Sequence, residues 1–90
     1  MPRQIVSTER DQASRKAQME LLIGEPSVWL RIDKGDGSIM PVNGVAVTRA
    51  AHGSFKRPNH AIATGRFQTP FAIYCTADKL TDEERQAATA

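Results

Sequence analysis

Between Asp36 and Asp78 the chain carries no acidic residue. It has little else of several things: one cysteine, one tryptophan, one tyrosine, three phenylalanines and no long apolar run. Each scarcity excludes something. A lone Cys75 cannot close an internal disulfide, which fits a reducing compartment and gives cytoplasmic residence as the expectation. No stretch approaches the roughly 18 apolar residues of a membrane span, so no membrane partner is expected. Met1 to Gln4 are not followed by an apolar core of about 7–15 residues, so no secretory signal is expected. No Cys-x-x-Cys, His-x-x-x-His or His-Glu-x-x-His pair is present, and His52 and His60 stand apart, so neither a metal nor another cofactor is expected. Asp33-Lys34-Gly35-Asp36-Gly37 lacks the later oxygen ligands and distal Glu of a calcium loop. It also lacks the third glycine of a dinucleotide fingerprint, and reads as a turn.

What is present is a charge bias. Residues 1–36 carry six basic and six acidic side chains, and residues 78–90 carry two and four. The middle, 37–77, carries Arg49, Lys56, Arg57 and Arg66 unopposed, and the net charge of the whole is +2. A local bias of this kind attracts anions even when the total is modest.

Ninety residues, 40% apolar and 24% charged, make one folded domain over 1–90, with 1–7 and 88–90 expected to fray. A chain of this size buries only about 60–65% of its unfolded surface. Its core is thin, and a homo-oligomer or docking on a larger body is a natural consequence. The pattern predicts an α+β fold: an N-terminal helix packed on a curved antiparallel sheet of about four strands, and a short C-terminal helix. Thr8, Glu9 and Asp11 open a helix over 8–23, whose apolar stripe is Ala13, Ala17 and Leu21 widened by Met19, Leu22 and Ile23. Gly24 and Pro26 end it. Ser27 to Asp33 alternates, with Val28, Leu30 and Ile32 on one face and Trp29, Arg31 and Asp33 on the other. A hairpin turn follows at 34–37, then an extended segment from Ser38 to about Ala50, clearest at Val45-Ala46-Val47, with a bulge or turn at Asn43-Gly44. Residues 49–60 read as a loop, and 61–67 and 71–77 as a hairpin about Gln68-Thr69-Pro70. Thr81-Asp82-Glu83-Glu84 opens the last helix as a capping box. Cys75, among apolar neighbours, reads as a buried structural thiol.

The function expected is non-catalytic binding of nucleic acid or another phosphate-rich anion through the segment 37–77. Arg49, Lys56, Arg57 and Arg66 would meet phosphates, His52, His60 and Asn59 would add hydrogen bonds, and Phe55 would stack on a base. Basic and aromatic residues interleaved on a loop suit single strands or RNA better than a duplex. The competing reading is a solvated loop whose charges pair with Asp82, Glu83 and Glu84. An alternative function is a protein-binding accessory or inhibitor that sets the same basic surface against an acidic protein. It could also use Trp29 beside Arg31 as an interface anchor; the favoured rival is that Trp29 is core and the two faces of the strand are reversed. An enzyme would need His52 or His60 paired with Asp36, Asp78 or the C-terminal helix, and no activated nucleophile stands out.

Overall fold

The computed structural model describes residues 9–89. The expected fraying of 1–7 and the cap at Thr8 lie outside the described residues. Helix α1 spans Glu9–Ile23 and α2 Gly44–Ser54. Helix α3 covers Pro58–Ala63 and α4 Asp82–Thr89. The strands are β1 (Trp29–Asp33), β2 (Ile39–Pro41), β3 (Arg66–Gln68) and β4 (Ala72–Thr76). They form one antiparallel sheet in the order β2-β1-β4-β3. The class is α+β, with helices on both sides of the sheet. Among the described residues, no helix is long and apolar enough to cross a membrane.

Two cores result from strand alternation. On one face Leu30, Ile32 and Cys75 join Ala77 and Leu80, with Ile23 from the end of α1 and Val28, Ile39 and Ile73 packed around them. On the other face Val47 and Ala51 of α2, Ala61 of α3 and Phe67 of β3 are buried, flanked by Trp29, Phe55 and Tyr74. Burial pushes the Cys75 thiol pKa up, which makes it an inert packing group. In α1 the half-buried stripe is Met19, Leu22 and Ile23, whereas Ala17 is exposed and Leu21 is 74% exposed. The stripe through Ala17 and Leu21 is therefore corrected by about a third of a turn. Gly24 donates to the Leu21 carbonyl at 3.2 Å as the helix ends. Arg85 of α4 donates to the Ile23 carbonyl at 3.2 Å and to the Ala77 carbonyl at 3.1 Å, tying α1 to the segment after β4.

The β1–β2 hairpin follows the turn chemistry. The Asp33 carboxylate accepts from the Gly35 and Asp36 backbone N–H groups at 2.7 and 3.2 Å, and Gly37 takes φ +77°. These two backbone donors, and then Arg31, hold the Asp33 carboxyl below its ordinary range.

The segment 42–65 differs from its expected strand, loop and strand. Asn43 is the N-cap of α2, its Oδ1 accepting from the Ala46 N–H at 2.8 Å, so Asn43-Gly44 starts a helix where a bulge or turn was expected. Val45-Ala46-Val47 is its first turn, and 49–54 are its last turns. The β-branched preference of the valines is overridden because helical spacing buries Val47 and Ala51 together on the sheet. The basic loop thus shrinks to Phe55, Lys56 and Arg57. Pro58 then sits in the first turn of α3, where its missing N–H costs nothing. Gly65, at φ +79°, ends α3 and turns the chain into β3, which begins at Arg66 rather than Ala61.

Candidate nucleic-acid interface

Helix α2 presents its inner side to the sheet and leaves Val45, Thr48, Arg49 and His52 exposed. Their i, i+3, i+4, i+7 spacing makes them one continuous outer face. With Gly44 they border a shallow surface of about 460 Å³ made entirely by α2. Lys56 and Arg57 follow at once in the short connection, and Asn59 and His60 are exposed on α3. A second groove, about 400 Å³, is bordered by Phe55, Lys56, Arg57, His60, Arg66 and Gln68 among others. The residues expected to form the site therefore divide. Arg49 and His52 share the α2 face, whereas Phe55, Lys56, Arg57 and Arg66 border the neighbouring groove. Asn59 is exposed on α3 and borders neither.

Four of the expected residues are engaged elsewhere. The Arg66 guanidinium grips Glu84 of α4 through two parallel bonds of 2.9 Å and also donates to the Lys79 carbonyl at 3.1 Å. Strand alternation puts Arg66 opposite Cys75, on the sheet face away from α2. The competing reading of charge pairing with the C-terminal helix thus holds for this one cation. Phe55 packs edge-on against Phe67, with ring centroids 5.4 Å apart and planes at 87°. Trp29 is half-buried and lies 5.9 Å from the same ring. Phe67 stacks on Tyr74 at 5.3 Å on its other side, so four aromatics share one cluster. Arg31 lies over the Tyr74 ring at 5.9 Å, donates to its hydroxyl at 3.3 Å and pairs with Asp33 at 3.2 Å. By contrast, neither ion pair among the described residues includes Arg49, Lys56 or Arg57.

Other routes to function are narrower. Among the described residues no group of three His, Cys, Asp or Glu side chains is placed to hold a metal ion. No hydrogen bond joins His52 or His60 to a carboxylate among the described residues. Both sheet edges are blunt. On β3, Thr64 Oγ1 accepts from the Arg66 N–H at 3.3 Å, occupying that donor of the outer edge. On β2, Pro41 has no N–H to offer. A further cavity of about 490 Å³, bordered by Trp29, Gly65, Thr76, Asp78 and Lys79, has both signs of charge on its rim.

The Arg66–Glu84 pair also carries a stability prediction. Glu84 accepts from the Thr81 N–H at 2.9 Å while Thr81 Oγ1 accepts from the Glu84 N–H at 3.1 Å, the reciprocal bonds of a capping box. Arg66 first, and the Thr81 N–H second, hold the Glu84 carboxyl below its ordinary value of 4.5. The carboxyl is bound as its anion in the folded state, so its contribution is complete above that value and is lost as pH falls through the depressed one. At neutral pH Glu84→Gln should cost about 1–2 kcal/mol, discounted for the partial exposure of the pair. Urea titrations of both proteins at neutral and at strongly acidic pH check this. The difference should close in acid, and one that stays constant would mean that Glu84 acts through packing.

Comparison with protein-family models, with curated proteins and with solved structures found no match to this chain. The class defined by fold and surface is accordingly a small α+β domain with an acid-free helix pair on one face of its sheet.

Proposed function

We propose that this protein is a small non-catalytic domain that binds nucleic acid, or a similarly phosphate-rich polyanion, through α2 and the connection to α3. The observation that carries this reading is the placement of Arg49, Lys56 and Arg57. All three are exposed, none is in an ion pair among the described residues, and no carboxylate lies within residues 37–77. Arg49 lies on the outer face of α2 and Lys56 and Arg57 follow directly after its C-cap Phe55, so the three can meet one phosphate backbone. Affinity comes chiefly from counterion release, and sequence preference from whatever the side chains of α2 touch.

Engagement of Arg66 by Glu84 leaves three cations for phosphates. The slope of log K against log salt is therefore about −2.7 on a duplex and about −2 on a single strand. Fluorescence anisotropy of labelled nucleic acids from low to physiological salt measures it. Absence of binding at low salt would end the proposal.

The competing occupant is an acidic protein surface. It is favoured by Val45, an apolar side chain left 66% exposed beside the cations. Poly-glutamate offers the charge without phosphate, so equal competition by poly-glutamate and by DNA would favour the protein partner.

A further inference from the structure

We infer that the outer face of α2 reads the major groove of duplex DNA, with Lys56 and Arg57 on the flanking phosphates. This rests on the proposed function and names the form of nucleic acid that the surface fits.

The first argument is what the aromatics are doing. Binding of single strands depends on aromatic faces on which bases stack. Phe55, Trp29 and Tyr74 are all packed around Phe67, at centroid distances of 5.4, 5.9 and 5.3 Å. Phe71 is 75% exposed, but it lies in the β3–β4 turn, where its carbonyl accepts from the Lys34 N–H of the β1–β2 hairpin. The cations of α2 and its connection thus have no exposed aromatic among them. A stacking loop would rest on Phe55 alone, whose ring is half-buried and edge-on to Phe67.

The second argument is that Arg49, expected in a loop, stands on a helix, with Lys56 and Arg57 just beyond its end. The major groove of B-form DNA admits an α-helix, whereas the deep, narrow major groove of an A-form RNA duplex does not. Val45 to His52 rises about 10 Å, the length of about three base pairs. The face offers an apolar contact suited to a thymine methyl in Val45 and a hydroxyl in Thr48. Arg49, on the same face, meets a flanking phosphate together with Lys56 and Arg57.

The third argument is slenderness. Ala46 and Gly53 lie along one side of this face, whereas Ala50 packs towards the second core. Gly53 has no positive φ, and nothing lies within 4 Å of the place a Cβ would take. Neither backbone conformation nor packing in the free protein calls for glycine there. A closely approaching surface accounts for small residues at these positions.

The test is anisotropy of a labelled DNA duplex bound to the full chain, compared with the corresponding single strand and RNA duplex. Methyl green, a major-groove ligand, and netropsin, a minor-groove ligand, serve as competitors. The DNA duplex should bind about tenfold more tightly than either alternative, and methyl green but not netropsin should displace the protein. Val45→Glu should weaken duplex binding about tenfold without changing the thermal midpoint, because the side chain touches little in the free protein. Gln86→Glu on α4 adds the same charge elsewhere and should change affinity less than about twofold. Single strands bound as tightly as the duplex, displacement by netropsin, or a Val45→Glu effect no larger than that of Gln86→Glu would each overturn the inference. Salt-sensitive binding without duplex preference would overturn it and leave the proposed function standing. Failure to bind any nucleic acid at low salt would remove both.

Discussion

Phe67→Ala is expected to cost about 3–5 kcal/mol and to lower the thermal midpoint by more than about 10 °C. Phe67 is only 6% exposed and is the ring that Trp29, Phe55 and Tyr74 all meet. It also stands between the sheet and the helix pair, since Val47, Ala51 and Ala61 pack in the same cluster. Those helix residues are small and cannot close over the space a benzyl group leaves, so most of the cavity would persist. A domain of this size has a total stability of only about 5–10 kcal/mol. The loss is therefore a large fraction of the whole. Urea denaturation followed by Trp29 fluorescence measures it directly, because the indole centroid lies 5.9 Å from the deleted ring. Phe71→Ala removes the same side chain from a site that is 75% exposed and should change stability by about 0.5 kcal/mol or less. Equal losses for the two variants would mean that the second core does not hold the fold.

The same cluster shows which parts of the structure were legible in the sequence. Strand β1 was legible because Val28 to Asp33 alternates over enough positions to fix both faces, and the Asp33 turn depends on side-chain chemistry that few other conformations use. The α4 start was legible for the same reason, Thr81 and Glu84 being spaced for reciprocal backbone bonds. Helix α2 was not. Val-Ala-Val fits a period of two as well as one of 3.6, and Asn-Gly is chemically suited to a turn and to an N-cap alike. Its buried side is built of Val47 and Ala51, too small to announce an apolar stripe. Helix α3 has six residues, fewer than two turns, which is too short for periodicity to speak.

The candidate surface divides along similar lines. The missing acidic residues between Asp36 and Asp78 could be read by eye. That Arg49 would stand on a helix with Lys56 and Arg57 just beyond it depended on recognising α2, and that Arg66 would be withdrawn depended on a partner 18 positions away. A signal for the latter did exist. The capping-box Glu84 must turn back towards Thr81, which directs its carboxylate at whatever cation the sheet edge supplies. Sequence alone did not say that β3 would bring Arg66 there.

That withdrawal makes the charge-reversal experiment discriminating. Lys56→Glu/Arg57→Glu should weaken nucleic-acid binding about 100-fold or more at low salt and flatten the salt slope towards about −1, the contribution of Arg49 alone. Both side chains are exposed, so the folded state should keep its thermal midpoint to within a few degrees. Arg66→Gln should do the opposite. It leaves the Glu84 carboxylate, now 19% exposed against its partner, without its bidentate donor. It should therefore lower stability by about 1–2 kcal/mol while leaving the slope unchanged. Net charge falls in both variants, so a mere long-range attraction of a basic protein to a polyanion would make Arg66→Gln weaken binding as well, in proportion to its single charge. A surface defined by α2 and its connection would not. Anisotropy titrations of the two variants across salt, with thermal unfolding run beside them, separate a placed set of phosphate contacts from a diffuse positive field. If Arg66→Gln reduced the slope by about one, Arg66 would have to leave Glu84 on binding, and the count of three free cations would be wrong.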